Sequence, residues 1–339
     1  MRLTLTAPTG AELPDAGQDY GEEAFVTRTP SVAILIATYR REHLLLETLA
    51  SLDRTKTSQS FAVIVVDNDS EGRTAERVRG MQSEWSFQVT AVCEPQPGIA
   101  AARNRALDEA LDYDIVCFID DDETVSEDWL EELVAPILRG EADAVSGPVD
   151  SVFEAPIPQW AHLGKFFTSE DTPEGARVGE AATNNLAIRR ASLMRGPVTR
   201  FDSRFSESGG SDIFLTQQLA AAGIRIVWTN AARVTERVPA SRCSADWIRT
   251  RAVRGGNTHG RVALMRPDNG WGRPESLRRR LAVAVRGGVR VLAGAGAVVT
   301  SPGVNRSARA ARGYRTLLRG VGFLRAALNR DVLEYKRSS

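Results

Sequence analysis

Cysteine is scarce: Cys93, Cys117 and Cys243 are the only three in a chain of 339 residues. Odd in number and far apart, they supply neither a disulfide framework nor the paired spacing of a structural zinc site, and they favour a reducing compartment. Histidine is as rare, and His43, His162 and His259 fall in separate segments, which argues against a histidine metal triad. Long apolar runs are missing too. The longest candidate span, residues 281–299, contains Arg286, Arg290 and four glycines. A membrane-crossing helix there would bury two charges, so the segment is read as not transmembrane. Residues 1–29 have no apolar run behind a basic start and carry Glu12, Asp15, Asp19, Glu22 and Glu23 among glycines and Pro14. That composition predicts a loose acidic tail rather than a signal peptide.

Net charge is absent overall, with 43 basic against 43 acidic side chains, yet the two signs are segregated. From Asn269 onward fifteen Lys and Arg face only Glu275, Asp331 and Glu334, net +12, which leaves the preceding part net −12. With 42% hydrophobic and 25% charged residues, the chain reads as an ordinary soluble globular protein.

The pattern between residues 31 and 138 is strand, polar loop, helix, repeated. Residues 31–37 (SVAILIA) end at Thr38-Tyr39-Arg40-Arg41, and residues 61–66 end at Asp67-Asn68-Asp69-Ser70. Residues 90–93 end before Gly98 and a helical stretch over 99–111. Residues 115–119 end at Asp120-Asp121-Asp122-Glu123, with Ser126 as the expected N-cap of a helix over 127–138. Apolar strands alternating with helices imply an α/β fold, a mainly parallel sheet covered on both faces. Ligands of such sheets bind beyond the carboxyl ends of the strands, so the residues that terminate strands are the candidates. Further on, the spacing predicts a helix over 212–222, a strand over 224–229 and an arginine-bearing helix over 246–253.

Four consecutive carboxylates at a strand end need something positive nearby. Mg²⁺ or Mn²⁺, which takes one or two carboxylates plus phosphate oxygens and water, is one answer, and a solvated acidic turn favoured by the following helix N-terminus is the other. Asp67 and Asn68 read either as an Asx-type turn or, beside Tyr39, as a nucleobase site. Asp212 follows Gly209-Gly210-Ser211 and reads either as a helix N-terminal residue or as a general base.

Taken in order, SVAILIATYRR, VVDNDS, PGIAAARNRALDEA, FIDDDETVSEDWLEEL, AVSGPV, ATNNLAIRR, FDSRFSESGGSDIFLTQQL and WIRTRAVRGGN resemble the inverting family 2 glycosyltransferases of GT-A fold, and within them exopolysaccharide glucosyltransferases of succinoglycan type. The resemblance spans roughly residues 31–260. It implies that Thr38, Tyr39, Arg40, Asp67 and Asn68 hold the base of a nucleotide-sugar, with Arg103 and Asn104 along the nucleotide. It implies further that Asp120 and Asp122 are the ends of a D-x-D element serving ribose and Mg²⁺ or Mn²⁺, with Asp121 between them. Asp212 becomes the catalytic base, and Arg251 and Arg254 reach the diphosphate. Two positions depart from the family pattern: Ser211 stands where glutamate is usual, and Asn68 where many members carry a second aspartate.

The implied reaction is a single displacement from a nucleotide-diphosphate sugar, with a UDP-sugar favoured, to a hydroxyl of a glycan, glycolipid or lipid-linked acceptor. A nucleotidyltransferase of similar fold and a non-catalytic nucleotide-sugar binding module are the alternatives. The sequence thus divides into the tail, a catalytic domain over 30–268 and a basic helical region over 269–339. Arginines interleaved with Leu, Val and Ala give that last region the composition of an interfacial segment drawn to an anionic membrane surface, with docking on the acidic catalytic domain next and nucleic acid not expected. The expected location is cytoplasmic, at the inner face of the plasma membrane if the basic region binds it.

Overall fold

The computed structural model describes residues 29–167, 172–206, 208–265, 277–330 and 332; the acidic tail lies outside the described residues. The first half runs β1 (Val32–Thr38), α1 (Glu42–Asp53), β2 (Phe61–Asp67), α2 (Arg73–Gly80), β3 (Gln88–Cys93), α3 (Ile99–Glu109), β4 (Ile115–Asp120), β5 (Glu123–Val125) and α4 (Trp129–Leu138). There follow β6 (Ala144–Ser146), β7 (Val149–Phe153), α5 (Gln159–Leu163), β8 (Leu186–Arg189), α6 (Arg190–Arg195), α7 (Ser211–Ala221), β9 (Ile226–Trp228) and β10 (Val234–Val238). Three long helices close the chain: α8 (Ala245–Met265), α9 (Leu277–Val299) and α10 (Ala308–Ala327).

The central sheet has seven strands in the order β3-β2-β1-β4-β8-β6-β9. Its pairings are parallel except at β8, which runs antiparallel to both β4 and β6. The strands read as continuous apolar runs because both faces are covered. Val32, Ile34, Ile36, Val63, Val65, Ile115 and Ile119 point to one side, against Leu45 and Leu49 of α1 and Trp129 and Leu133 of α4. Ala33, Leu35, Ile64, Val66, Val116 and Phe118 point to the other, against Ala102 and Ala106 of α3 and Leu215 of α7. Each buried Val, Leu or Ile contributes about 1.5–3 kcal/mol, so a strand with alternate residues in two cores is held from both sides. Register aligns the carboxyl ends: Thr38 pairs with Asp67, and Ala37 with Asp120.

A second sheet, β5-β10-β7, lies beside that edge. It explains why α4 starts at Trp129 rather than at 127 behind a Ser126 cap. Residues 123–125 are drawn into pairing with β10, Ser126 donates its amide to the Arg233 carbonyl, and the N-cap is Asp128 without a side-chain bond. The helix expected over 246–253 continues to Met265 through Gly255 and Gly256. The basic region does dock on the rest of the chain: α10 packs along α8 and α5, and α9 packs along α10.

Candidate functional site

Thr38 and Asp67 stand side by side at the sheet edge, and neither side chain is open to solvent. Asp67 accepts the backbone amides of Asp69 (3.0 Å), Thr74 (2.9 Å) and Ala75 (3.2 Å), so its carboxylate closes the turn and serves the N-terminus of α2. Asn68 donates to the carbonyls of Glu94 and Gln96, both at 2.8 Å, and accepts the Gly98 amide at 2.9 Å. Two of the residues expected at the base are therefore engaged in holding loops. Tyr39 remains half-buried at the rim, with the Arg40 guanidinium 5.1 Å from its ring centre and Arg40 Nε 2.8 Å from Asp69.

The four carboxylates after β4 differ in environment. Asp120 keeps 41% of its side chain exposed and meets Arg103 at 3.2 Å. Asp121 is buried, accepts the Thr38 hydroxyl at 2.7 Å and Arg41 Nη1 at 3.2 Å, and burial pushes its carboxyl up to about 6 against the pull of Arg41. Asp122 is raised as well, first by burial and then by Asp120 beside it, while Arg41 (3.0 Å) and Arg242 (3.7 Å) oppose the shift. Glu123 folds back to accept the Asp120 amide at 2.8 Å, and burial drives its carboxyl well above the carboxylate range.

Among the described residues no three His, Cys, Asp or Glu side chains form a metal cluster. The donor set still fits Mg²⁺ or Mn²⁺ in the mode that needs few protein ligands. Burial and the neighbouring Asp120 charge both raise the proton affinity of Asp122, a cost that a cation with phosphate and water oxygens completing its shell would relieve. Asn104 exchanges a pair of hydrogen bonds with the backbone of Phe201, at 2.8 and 2.9 Å, and so fixes the segment leading to Gly209 and Gly210.

Those two glycines take positive φ, 71° and 102°, and turn the chain into α7. A Cβ at Gly210 would lie 2.3 Å from Thr258, which is how closely α7 and α8 approach. The turn sets Asp212 into a cleft of about 530 Å³. Arg251 and Arg254 of α8 line the same cleft, as do Trp228, Glu236, Glu180 and His259. Arg251 is oriented by Phe167, 4.8 Å from its guanidinium, and by donating to the Phe166 carbonyl at 3.0 Å. Ser211, where the family pattern has glutamate, is buried, and its hydroxyl has no partner among the described residues.

Of the expected residues, Asp212, Arg251 and Arg254 thus converge, whereas Tyr39 and Asp120 do not line this cleft. The acidic loop adjoins it through Arg242, which lies 3.7 Å from Asp122 and 3.9 Å from Glu236 on the cleft wall. Sequence reasoning missed Arg41, Arg242, Glu236 and Glu180. Arg41 directly follows the Thr38-Tyr39-Arg40 loop, a signal that was present. Glu236 and Arg242 become legible only once β10 pairs with β5, where Glu236 faces Glu123. From the basic region Arg315 and Arg319 of α10 also reach the cleft.

A mostly parallel sheet with an acidic loop at its carboxyl edge, a second small sheet and a cleft bearing one aspartate and two arginines defines a glycosyltransferase of GT-A type. The sequence profile described as "Glycosyl transferase family 2" matches residues 33–196. "Succinoglycan biosynthesis protein ExoM" of Rhizobium meliloti (strain 1021) is 33% identical over 297 residues, 86% of this chain and 90% of that protein. Among solved structures, S. aureus TarS 1–349 in complex with UDP superposes with a TM-score of 0.50 at 18% identity, over 85% of this chain and 90% of that one. GalNAc-T7 with UDP, GalNAc and Mn²⁺ gives 0.52 at 14% identity, over 72% and 48%. The chain belongs to glycosyl transferase family 2 and is a glycosyltransferase.

Proposed function

We propose that this glycosyltransferase moves one sugar, with inversion, from a nucleoside diphosphate sugar to a hydroxyl of a glycan, glycolipid or lipid-linked acceptor in polysaccharide biosynthesis, working in the cytoplasm at the inner membrane face. The observation that carries the reading is the convergence of Asp212, Arg251 and Arg254 on one cleft beside the Asp120–Glu123 loop. In this reading Arg251, held beside the Phe167 ring, and Arg254 take the diphosphate oxygens, whose charge they match. Asp120 and Asp122 hold Mg²⁺ or Mn²⁺, which when bound supplies Lewis-acid stabilisation of the departing diphosphate. Asp212, fixed on the first turn of α7, accepts the proton of the acceptor hydroxyl as it attacks the sugar carbon from the opposite side. A uridine donor is favoured by the resemblance and by the UDP carried in the two structural neighbours.

The test is a thermal-shift and hydrolysis screen of UDP-, dTDP- and GDP-sugars with and without Mn²⁺. A metal-dependent shift with one nucleotide, with release of the nucleoside diphosphate, is expected; release of free diphosphate would identify a nucleotidyltransferase instead. Asp212→Asn is expected to keep the donor-induced shift and lose transfer by about 10²–10⁴-fold, the usual weight of a general base. Turnover near wild type would remove Asp212 from that role.

A further inference from the structure

The helix α9 is built inside out for a water-soluble hairpin. Its contact with α10 is made by glycines: a Cβ at Gly294 would lie 2.5 Å from the Gly313 carbonyl, and one at Gly320 would lie 2.8 Å from the Gly287 carbonyl. Val283 is buried against Leu264 and Phe323, but most of the helix's large apolar side chains face outward: Leu277 (83% exposed), Leu281, Val285, Val289, Leu292 (75%) and Val299 (82%). Steps of four, four, four, three and seven residues keep these six within about 120° of arc at 100° per residue. A continuous apolar stripe of this length on a monomer marks a surface that something covers. Small residues between helices and large ones outside is the packing used where the surroundings are lipid.

The charge of the same region identifies what covers it. Residues 277–330 contain twelve arginines and neither an acidic residue nor a lysine. Arg278 and Arg286 of α9, Arg306 in the turn after it, and Arg309 and Arg312 at the start of α10 are exposed. Basic side chains bordering an apolar stripe match an anionic bilayer surface and repel a second copy of the same stripe.

By length and composition α9 could cross a bilayer, but the fold ties it down. It is bound along its length to α10, and α10 lies against α8 at backbone contact, a Cβ on Gly322 falling 2.1 Å from the Val253 carbonyl. Insertion of α9 would carry α10 and its arginines into hydrocarbon. We propose that α9 lies in the plane of an anionic membrane interface, with Leu281, Val285, Val289 and Leu292 in the acyl boundary and the arginines at the headgroups. This specifies the membrane face of the reading above and gives it a geometry.

The test is co-sedimentation of the full-length chain with vesicles of phosphatidylcholine containing phosphatidylglycerol, against phosphatidylcholine alone. Wild type is expected to bind the anionic vesicles, less so at high salt. A Leu281→Glu, Val285→Glu, Leu292→Glu variant, altered only at exposed positions, is expected to partition at least about a hundredfold more weakly, since each buried apolar side chain is worth roughly a factor of ten or more. Its melting temperature and nucleotide-sugar hydrolysis are expected to match wild type. Equal binding by variant and wild type overturns the proposal, as does a wild-type dimer, measured by light scattering, that the variant converts to monomer. Loss of hydrolysis in wild type would strike the catalytic reading and leave the membrane result standing.

Discussion

Asn68 uses its whole amide: two N–H donors to the Glu94 and Gln96 carbonyls, and its oxygen to the Gly98 amide. The residues left Asn68 open between an Asx-type turn and a base contact, and the family resemblance favoured the base; that it also ties the turn entering α3 was not legible, since the partners lie 26 to 30 residues away. Asn68→Ala is expected to cost about 1–3 kcal/mol, read as a lower denaturant midpoint. Asn68→Asp would set a negative charge against two carbonyl oxygens and is expected to destabilise at neutral pH as well. His259 offers a second residue-scale prediction. Its Nδ1 lies 2.7 Å from the Gly255 carbonyl and its Nε2 2.8 Å from Glu180, so two acceptors face the ring and the doubly protonated form satisfies both. The Glu180 hydrogen bond raises His259 above its ordinary 6.5, against burial and Arg319. Burial works to raise Glu180, but the His259 hydrogen bond and charge and the Gln217 bond outweigh it, leaving Glu180 below its ordinary 4.5. A raised histidine stabilises below its unfolded value and loses that contribution as pH climbs through its folded one; a depressed glutamate stabilises above its unfolded value and loses it as pH falls through its folded one. Melting of wild type and His259→Gln should therefore differ most between about pH 4.5 and 6.5 and converge as pH rises further. A gap that does not vary with pH would mean that the pair contributes by packing alone.

Elements were legible in proportion to their periodicity. The strands β1, β2 and β4 and the helices α1, α3 and α7 carry long apolar patterns, and the structure places them within a few residues of expectation. The three-residue strands β5 and β6 have too little pattern to read, and β5 appears only because β10 pairs with it, whereas β9 falls inside the strand expected over 224–229. Gly255 and Gly256 lie inside α8, past the end expected at residue 253, and a Cβ at Gly256 would fall 2.0 Å from the Arg319 carbonyl: the absent side chain makes the α8–α10 crossing. Gly256→Ala is accordingly expected to destabilise by about 1–3 kcal/mol or more through overpacking. Gly288→Ala, whose Cβ would meet nothing within 4 Å, is expected to gain up to about 1 kcal/mol from helix propensity. Urea unfolding of the two variants side by side checks the sign of each. Matching midpoints would show that the crossing opens without cost.

At the scale of the whole molecule, the charge segregation along the chain acquires a spatial meaning. The basic stretch splits between two duties: α9 turns its apolar stripe outward, while α10 sends Arg315 and Arg319 to the cleft that holds Asp212 and Glu236. Arg315 donates to the Lys165 carbonyl, and Tyr314 packs edge-on to Trp160 at 5.5 Å and accepts a bond from Arg249 at 3.0 Å. A boundary after residue 268, natural from charge alone, therefore cuts through a packed core that contains Trp160, Ile248 and Ala311 and removes one wall of the cleft. A chain ending there would expose the glycine groove of α8 at Gly256 and Gly260 and lose the side chains that cover it. We expect it to melt well below the full-length protein, since each kcal/mol lost shifts the midpoint of a domain this size by about 2–4 °C, and to lose nucleotide-sugar hydrolysis with it. Calorimetry and hydrolysis on the two chains decide the matter: a truncated protein with the full-length melt and undiminished hydrolysis would make residues 30–268 an autonomous catalytic domain, with the helical hairpin serving the membrane alone.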